Sequence, residues 1–340
     1  MAKKESSAGS EQLKNDLKNK ALGQCYIICG EEDYLCRHYF AQMRKQLLDE
    51  LTEGFNFHKL TSENFSMQLL LESIEALPMM AERSLIQLDE VNLFSLDESE
   101  AEQLAAVLSD MPEYCCLVMT YVDFKPDKRK KLWKALEKNA VIAEFNFQSE
   151  TELRPWLVRH FRALGKSISA DVCNYLLSQC GASMTRLHAE VEKICSYSGA
   201  ETIVRADVDA VVEPTLDAVV FQITNALAER KFDIAMERLH AVFKMQEEPI
   251  PAVAVIGSQM RRLRAAKILQ NVEELASVCG ISPKAASMAM TQARRFSERF
   301  CDRAVLLCCE TDYKLKTSYD DPQRLVEMLI LELAQEARND

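Results

Sequence analysis

Short apolar runs alternate with helical stripes over the first 148 residues and then cease, and this change of pattern limits the folds open to the chain. Runs at 26–29, 55–60, 84–88, 115–120 and 141–147 have the length and apolar content of strands. Between them Leu35, Tyr39, Met43 and Leu47 recur at helical spacing, as do Leu69, Leu70 and Ile74, and further helices are expected over 96–108 and 128–137. Strands separated by helices need crossover connections, hence a parallel sheet with helices on its faces. From Ser149 onward the sequence predicts no strand. Ser149 and Glu152 have capping-box spacing, and helices are expected up to Gly165 and over 169–180, 183–197 and 206–212. From 215 to about 337 the pattern is helical, with breaks near 246–251, 270, 280–283 and 318–322. The expected fold is α/β plus all-α: a disordered tail over 1–20, a parallel-sheet domain over 21–148, a small helical domain over 149–213 and a larger helical domain over 214–340.

The turn after the first strand is where a nucleotide-binding fold would cradle phosphate. Backbone N–H groups freed by glycines, a Lys and a Ser or Thr are needed there. Gly30-Glu31-Glu32-Asp33-Tyr34-Leu35 offers one glycine, no Lys-Ser/Thr pair and three successive carboxylates. Those carboxylates favour the helix start and repel a triphosphate. Asp89-Glu90 resembles an acidic pair that holds Mg²⁺ and polarises water, and Thr120 ends its strand where many ATPases place a polar sensor. Without a cradle, Gly30, Glu31, Asp89, Glu90 and Thr120 read as a vestigial nucleotide site, and no cofactor is expected.

The net charge of −11 excludes a protein that coats nucleic acid with its whole surface. The charge is uneven: residues 61–113 hold twelve acidic residues and one basic residue, Arg83, whereas 258–299 hold eight basic and three acidic. Arg261, Arg262, Arg264 and Lys267 lie within two turns, Arg294 and Arg295 form a second cluster, and Lys128, Arg129, Lys130 and Lys131 a third. These are candidate contacts to DNA phosphates or to neighbouring subunits, with no interleaved aromatics for base stacking. The 12 cysteines lie mostly in apolar runs, without Cys-x-x-Cys or zinc-site spacing to histidine, so buried thiols and no metal are expected. The opening MAKKESSAGSEQLKND lacks an apolar signal core, and no run of about 18 apolar residues occurs. A soluble cytoplasmic protein without membrane contact is expected.

Seven strings carry a resemblance through their order and spacing: YIICGEEDYL, LPMMAERSLI, KPDKRKKLWKALEK, ELRPWLVRHFRALGKSIS, CGASMTRLHAEVEKICSYSG, VFQITNALAERKFDIAMERL and GISPKAASMAMTQARRFS. Together they resemble the delta-subunit family of the bacterial DNA polymerase III clamp loader, which is AAA+-related. The resemblance implies a degenerate P-loop/AAA+ domain, a lid and a collar, in a subunit of a DNA-directed DNA polymerase (nucleotidyltransferase) holoenzyme that hydrolyses no ATP itself. It implies as partners the sliding clamp (beta subunit), the ATP-hydrolysing tau/gamma subunits, the delta-prime subunit and primer–template DNA within the assembly, with no small-molecule substrate. It also implies clamp binding through Leu77, Met79 and Met80 around Pro78, and methionines suit an irregular pocket on a partner. Arg186 occupies a lid position resembling the ATPases' second sensor and is expected to serve in a structural ion pair. Asp89-Glu90 departs from the family, which often lacks an acidic pair there. Two alternatives are an ATP-hydrolysing AAA+ protein with an atypical phosphate site, and a helix-turn-helix DNA-binding regulator built on 272–296. The second needs an exposed helix, whereas Ala285, Ala286, Met288, Ala289 and Met290 suggest close packing.

Overall fold

Alternation along successive strands assigns side chains to the two faces of one parallel sheet. The structure, a computed structural model, describes residues 2–122, 124–244, 248–281 and 283–340. Helix α1 (Ala2–Asn19) precedes β1 (Cys25–Cys29), which is followed by α2 (Asp33–Leu47), the single turn α3 (Glu53–Asn56) and β2 (Phe57–Thr61). Next come α4 (Met67–Glu75), β3 (Ser84–Asp89), α5 (Glu98–Ser109), β4 (Cys115–Tyr121), α6 (Lys131–Asn139) and β5 (Val141–Glu144). The five strands lie in the order β2-β3-β4-β1-β5, and every pair is parallel. Tyr26, Ile28, Leu85, Cys116 and Val118 share one buried face with Leu13 of α1 and Met43 of α2. Cys25, Ile27, Ile86, Leu88, Leu117 and Met119 pack on the other face with Leu70 of α4, Leu104 of α5 and Leu136 of α6. Each Leu, Ile, Val or Met among them contributes about 1.5–3 kcal/mol when fully buried.

Residues 1–20, expected as a disordered tail, are corrected by α1. Leu13 is completely buried, and the buried Tyr26 donates its hydroxyl to Asp16 Oδ2 at 2.8 Å. Gly9 lets the helix lie on the sheet: a Cβ there would stand 1.8 Å from the Ile142 carbonyl oxygen of β5. β5 is an edge strand, and a helix laid on it blunts that edge. Sequence patterning misses α1 because two leucines, Leu13 and Leu17, are its whole apolar stripe.

Beyond the sheet, α7 (Glu150–Ala163) opens with the expected Ser149/Glu152 capping box. It is followed by β6 (Ser167–Ile168), α8 (Ala170–Cys180), α9 (Met184–Tyr197), β7 (Thr202–Ile203) and α10 (Arg205–Val211). The two short strands correct the expectation of none after Ser149; two residues leave no periodic signal. The chain divides into two compact units, one of residues 1–167 and 182–196, the other of 168–181 and 197–340. The stretch 149–213 contributes to both.

The second unit continues through α11 (Leu216–Ala228), α12 (Phe232–Lys244), α13 (Pro249–Leu269), α14 (Val272–Cys279), α15 (Pro283–Ala293), α16 (Glu298–Thr317) and α17 (Pro322–Asn339). Ile223, Leu239, Ile256, Leu263, Leu275, Ala286, Phe300 and Leu329 meet in its core. Asn271 and Asp321 cap α14 and α17 with their side chains. Breaks at 229–231 and 294–297 escape the sequence pattern, and at the first Arg230 turns into the left-handed region at φ 59°. Ala286 and Ala289 are buried, so α15 turns one face to the core; Met288, expected inside, is exposed. If α1 is integral to the fold, Leu13→Ala should lower the unfolding free energy by about 2–4 kcal/mol in denaturant titration. A change near zero would mean that residues 1–20 hang free.

Candidate functional site: the two ends of the sheet

The strands' C-terminal ends carry the residues of the vestigial nucleotide site. Asp89 of β3 is in register with Thr120 of β4, and Ile28 of β1 with Thr120 on the other side. Thr120 donates to Asp89 Oδ1 at 2.8 Å and accepts from Gln87 Nε2 at 3.1 Å, while Lys59 Nζ of β2 pairs with Asp89 at 2.7 Å. Partial burial disfavours the Asp89 charge, but the Lys59 and Thr120 contacts outweigh it and hold the carboxyl below the ordinary carboxylate range. Glu90, in the left-handed region at φ 55°, accepts from the Val122 backbone N–H at 2.6 Å. The acidic pair is thus engaged by the protein's own donors.

The turn between β1 and α2 is likewise filled. Gly30 has φ 126°, and a Cβ there would come within 2.2 Å of the Phe145 carbonyl oxygen. This glycine serves the approach of two backbones, and Glu32 N donates to that same oxygen at 3.0 Å. Glu31 is exposed, whereas Glu32 is 2% exposed. The Glu32 carboxylate stands at the start of α2, where a phosphate would be held by the helix's unpaired N–H groups. Burial pushes its carboxyl above the ordinary range, against the backbone N–H groups of Tyr34 and of Met184 at the start of α9, which favour its charge. Its Oε2 has no hydrogen-bond partner among the described residues. Sequence reading sees three carboxylates repelling phosphate; in the structure one of them is buried at the start of α2. Arg186, half-buried in the first turn of α9, donates its backbone N–H to Ser183 Oγ at 3.4 Å.

The opposite end of the sheet presents an apolar loop. Leu77, Met79 and Met80 are 74%, 56% and 93% exposed, in the turn that enters β3 at its N-terminal end. Two anchors fix it. Asn56, buried at the end of α3, donates to the Met79 carbonyl at 2.9 Å and accepts from the Met79 N–H at 2.7 Å. Arg83 donates to the Leu22 and Gly23 carbonyls at 2.6 and 2.7 Å, ahead of β1, and to the Cys115 carbonyl at 3.3 Å. Met80 takes φ 54° between them. Leu51 and Phe55, in the segment leading to Asn56, are exposed as well. Sequence reading places Phe55 in a strand and so misses it; Asn56 leaves no signal, and Arg83 shows only as the lone cation of an acidic stretch.

The basic cluster at 128–131 is occupied within the chain, and those of the second unit are occupied in part. Arg129 pairs with Asp127 at 2.9 Å, Lys131 with Glu102 at 3.0 Å, Lys130 bonds the Phe94 carbonyl, and Lys128 lies over the Trp133 ring. In the second unit Arg264 pairs with Asp302, and Arg295 with Glu229 at 3.3 Å. Arg261, Arg262, Lys267 and Arg294 have no ion pair among the described residues. Eight of the 12 cysteines are buried, and burial pushes the Cys29 and Cys116 thiols up to about 12. Among the described residues no group of three His, Cys, Asp or Glu could hold a metal ion, and no helix is long and apolar enough to cross a membrane.

Glu32 makes stability pH-dependent with a definite sign. A folded-state pKa above the unfolded value means that stability falls as pH rises out of the ordinary glutamate range, and the cost is full above the folded pKa. Glu32→Gln should therefore stabilise the protein at neutral pH, with the gap closing towards the ordinary glutamate range in urea titrations. A variant no more stable than wild type at neutral pH would contradict this placement.

Two family models match the chain. One, described as DNA polymerase III, delta subunit, covers 26–146; the other, DNA polymerase III delta subunit, C-terminal domain, covers 217–333. Together they span more than half of it. DNA polymerase III subunit delta of Bacillus subtilis is 27% identical over 329 residues, covering 93% of this chain and 94% of that one. A probable DNA polymerase III subunit delta of Aquifex aeolicus is 20% identical, covering 73% and 72%. Among solved structures, the Bacillus subtilis DNA clamp loader delta protein superposes with a TM-score of 0.66 at 25% identity, over 96% of this chain and 99% of that one. Two models of the same subunit over most of the chain, with relatives matched along nearly its full length, show that the chain belongs to the DNA polymerase III delta-subunit family.

Proposed function

We propose that this clamp-loader delta subunit binds the sliding clamp through Leu77, Met79 and Met80 and favours the ring's open state, leaving ATP hydrolysis to neighbouring tau/gamma subunits. The observation that carries this reading is an exposed apolar loop whose backbone is pinned at Asn56 and Arg83. Exposed apolar side chains on a fixed frame suit a protein pocket, because the loop loses little conformational entropy on binding. Methionine's flexible thioether then adapts to the pocket's shape. Glu32 and the Lys59–Asp89–Thr120 contacts support a subunit without a working phosphate site.

Binding must discriminate between clamp states, since equal affinity for open and closed rings shifts no population. Delta-prime and primer–template DNA are further partners in this reading. Arg261, Arg262, Lys267 and Arg294, unpaired by carboxylates, are better placed for neighbouring subunits or DNA than Arg264 and Arg295. The Met79→Ala/Met80→Ala double variant should keep the wild-type thermal midpoint, both side chains being exposed, and lose about 2 kcal/mol of clamp affinity, roughly thirtyfold. Retention of the cognate clamp by both proteins in a pull-down would reject the loop as the contact; retention by neither would reject clamp binding.

A further inference from the structure

The acidic first unit contains a groove lined by cations alone among its charged groups. It runs between α1 and α2, encloses about 650 Å³, and is bordered by Lys14, Lys18, Lys20, Lys45, Gln42 and Tyr39. Among the described residues no carboxylate borders it. Lys14 is paired with Glu11 at 2.7 Å, but Lys18, Lys20 and Lys45 are exposed and meet no carboxylate among the described residues. Within a chain of net charge −11, three uncompensated ammonium groups beside a paired fourth concentrate positive potential in one place.

We infer that this groove binds the phosphate backbone of a single nucleic-acid strand. Lys14 and Lys18 stand one helical turn apart, about 6 Å along α1, and Lys45 faces them from α2, so a strand laid between the helices meets ammonium groups on both sides. The Gln42 and Gln46 amides add neutral donors. The Tyr39 ring is stacked on Phe145 at 4.8 Å and meets His38 edge to face at 5.3 Å, so positive charge is the groove's main recognition element. The groove is separate from the basic clusters of 128–131, 261–267 and 294–295, and α1, the helix that builds it, is the one that sequence patterning leaves as a tail. Choosing a nucleic acid over an acidic peptide rests on membership of a replication family.

The test is fluorescence anisotropy of a labelled single-stranded oligonucleotide with the full-length chain, wild type against Lys18→Ala/Lys20→Ala/Lys45→Ala, over a salt series. The variant should bind about tenfold more weakly or worse at low salt, and the slope of log affinity against log salt should shrink by about 2, near 0.7 for each phosphate that no longer meets an ammonium group. Its thermal midpoint and clamp retention should match wild type, which separates failure of the groove from failure of the clamp reading. Wild-type protein that does not bind, or a variant that binds like wild type, overturns the proposal. Polyglutamate that competes as well as unlabelled oligonucleotide of equal length overturns it in favour of an acidic peptide.

Discussion

Strand β1 is hydrogen-bonded on both edges and buried on both faces, and the rest of the first unit follows from that constraint. A strand so enclosed has no free surface along its length. Chemistry and recognition are therefore displaced to the ends of the sheet, where the strands give way to turns. At one end the turn after β1 must bring Gly30 against the Phe145 backbone, and Glu32 is carried inside. At the other end, the turn entering β3 cannot bury its apolar side chains, because Asn56 and Arg83 hold its backbone at the rim.

The two ends divide labour by electrostatics. A helix start is an anion site, and here the chain supplies its own anion at some cost in stability, since Glu32 keeps one oxygen without a partner among the described residues. The same carboxylate faces the first turns of both α2 and α9 through the Tyr34 and Met184 backbones. The methionine end makes no comparable demand on charge. In the proposed role its value lies in being preformed, which would leave the binding free energy available to distinguish one clamp conformation from another.

Most of the sheet is legible in the sequence because its strands are continuous apolar runs such as Tyr26–Cys29 and Cys115–Thr120, which a doubly covered parallel sheet requires. The exposure of the Leu77–Met80 loop is expected only through the family resemblance, because apolar residues around Pro78 at a helix-to-strand turn equally suit the core. What stays hidden depends on partners distant in the chain. Glu32 meets Met184, Asn56 meets Met79, and α1 rests on β5 through a glycine, none of which leaves a local periodicity. Ion pairing hides in the same way: Arg264 and Arg261 look alike in sequence, yet of the two Arg264 has a carboxylate, Asp302, across the helix pair.

The central claim is differential binding to the clamp by a subunit that needs no nucleotide for it. The most direct measurement is the affinity of the chain, without ATP, for a monomeric clamp variant that cannot close and for the closed ring, both by isothermal calorimetry. Tighter binding to the monomer by at least tenfold, about 1.4 kcal/mol, is the expected result. Equal affinities would contradict it, and would leave the protein a clamp binder with no means of opening the ring.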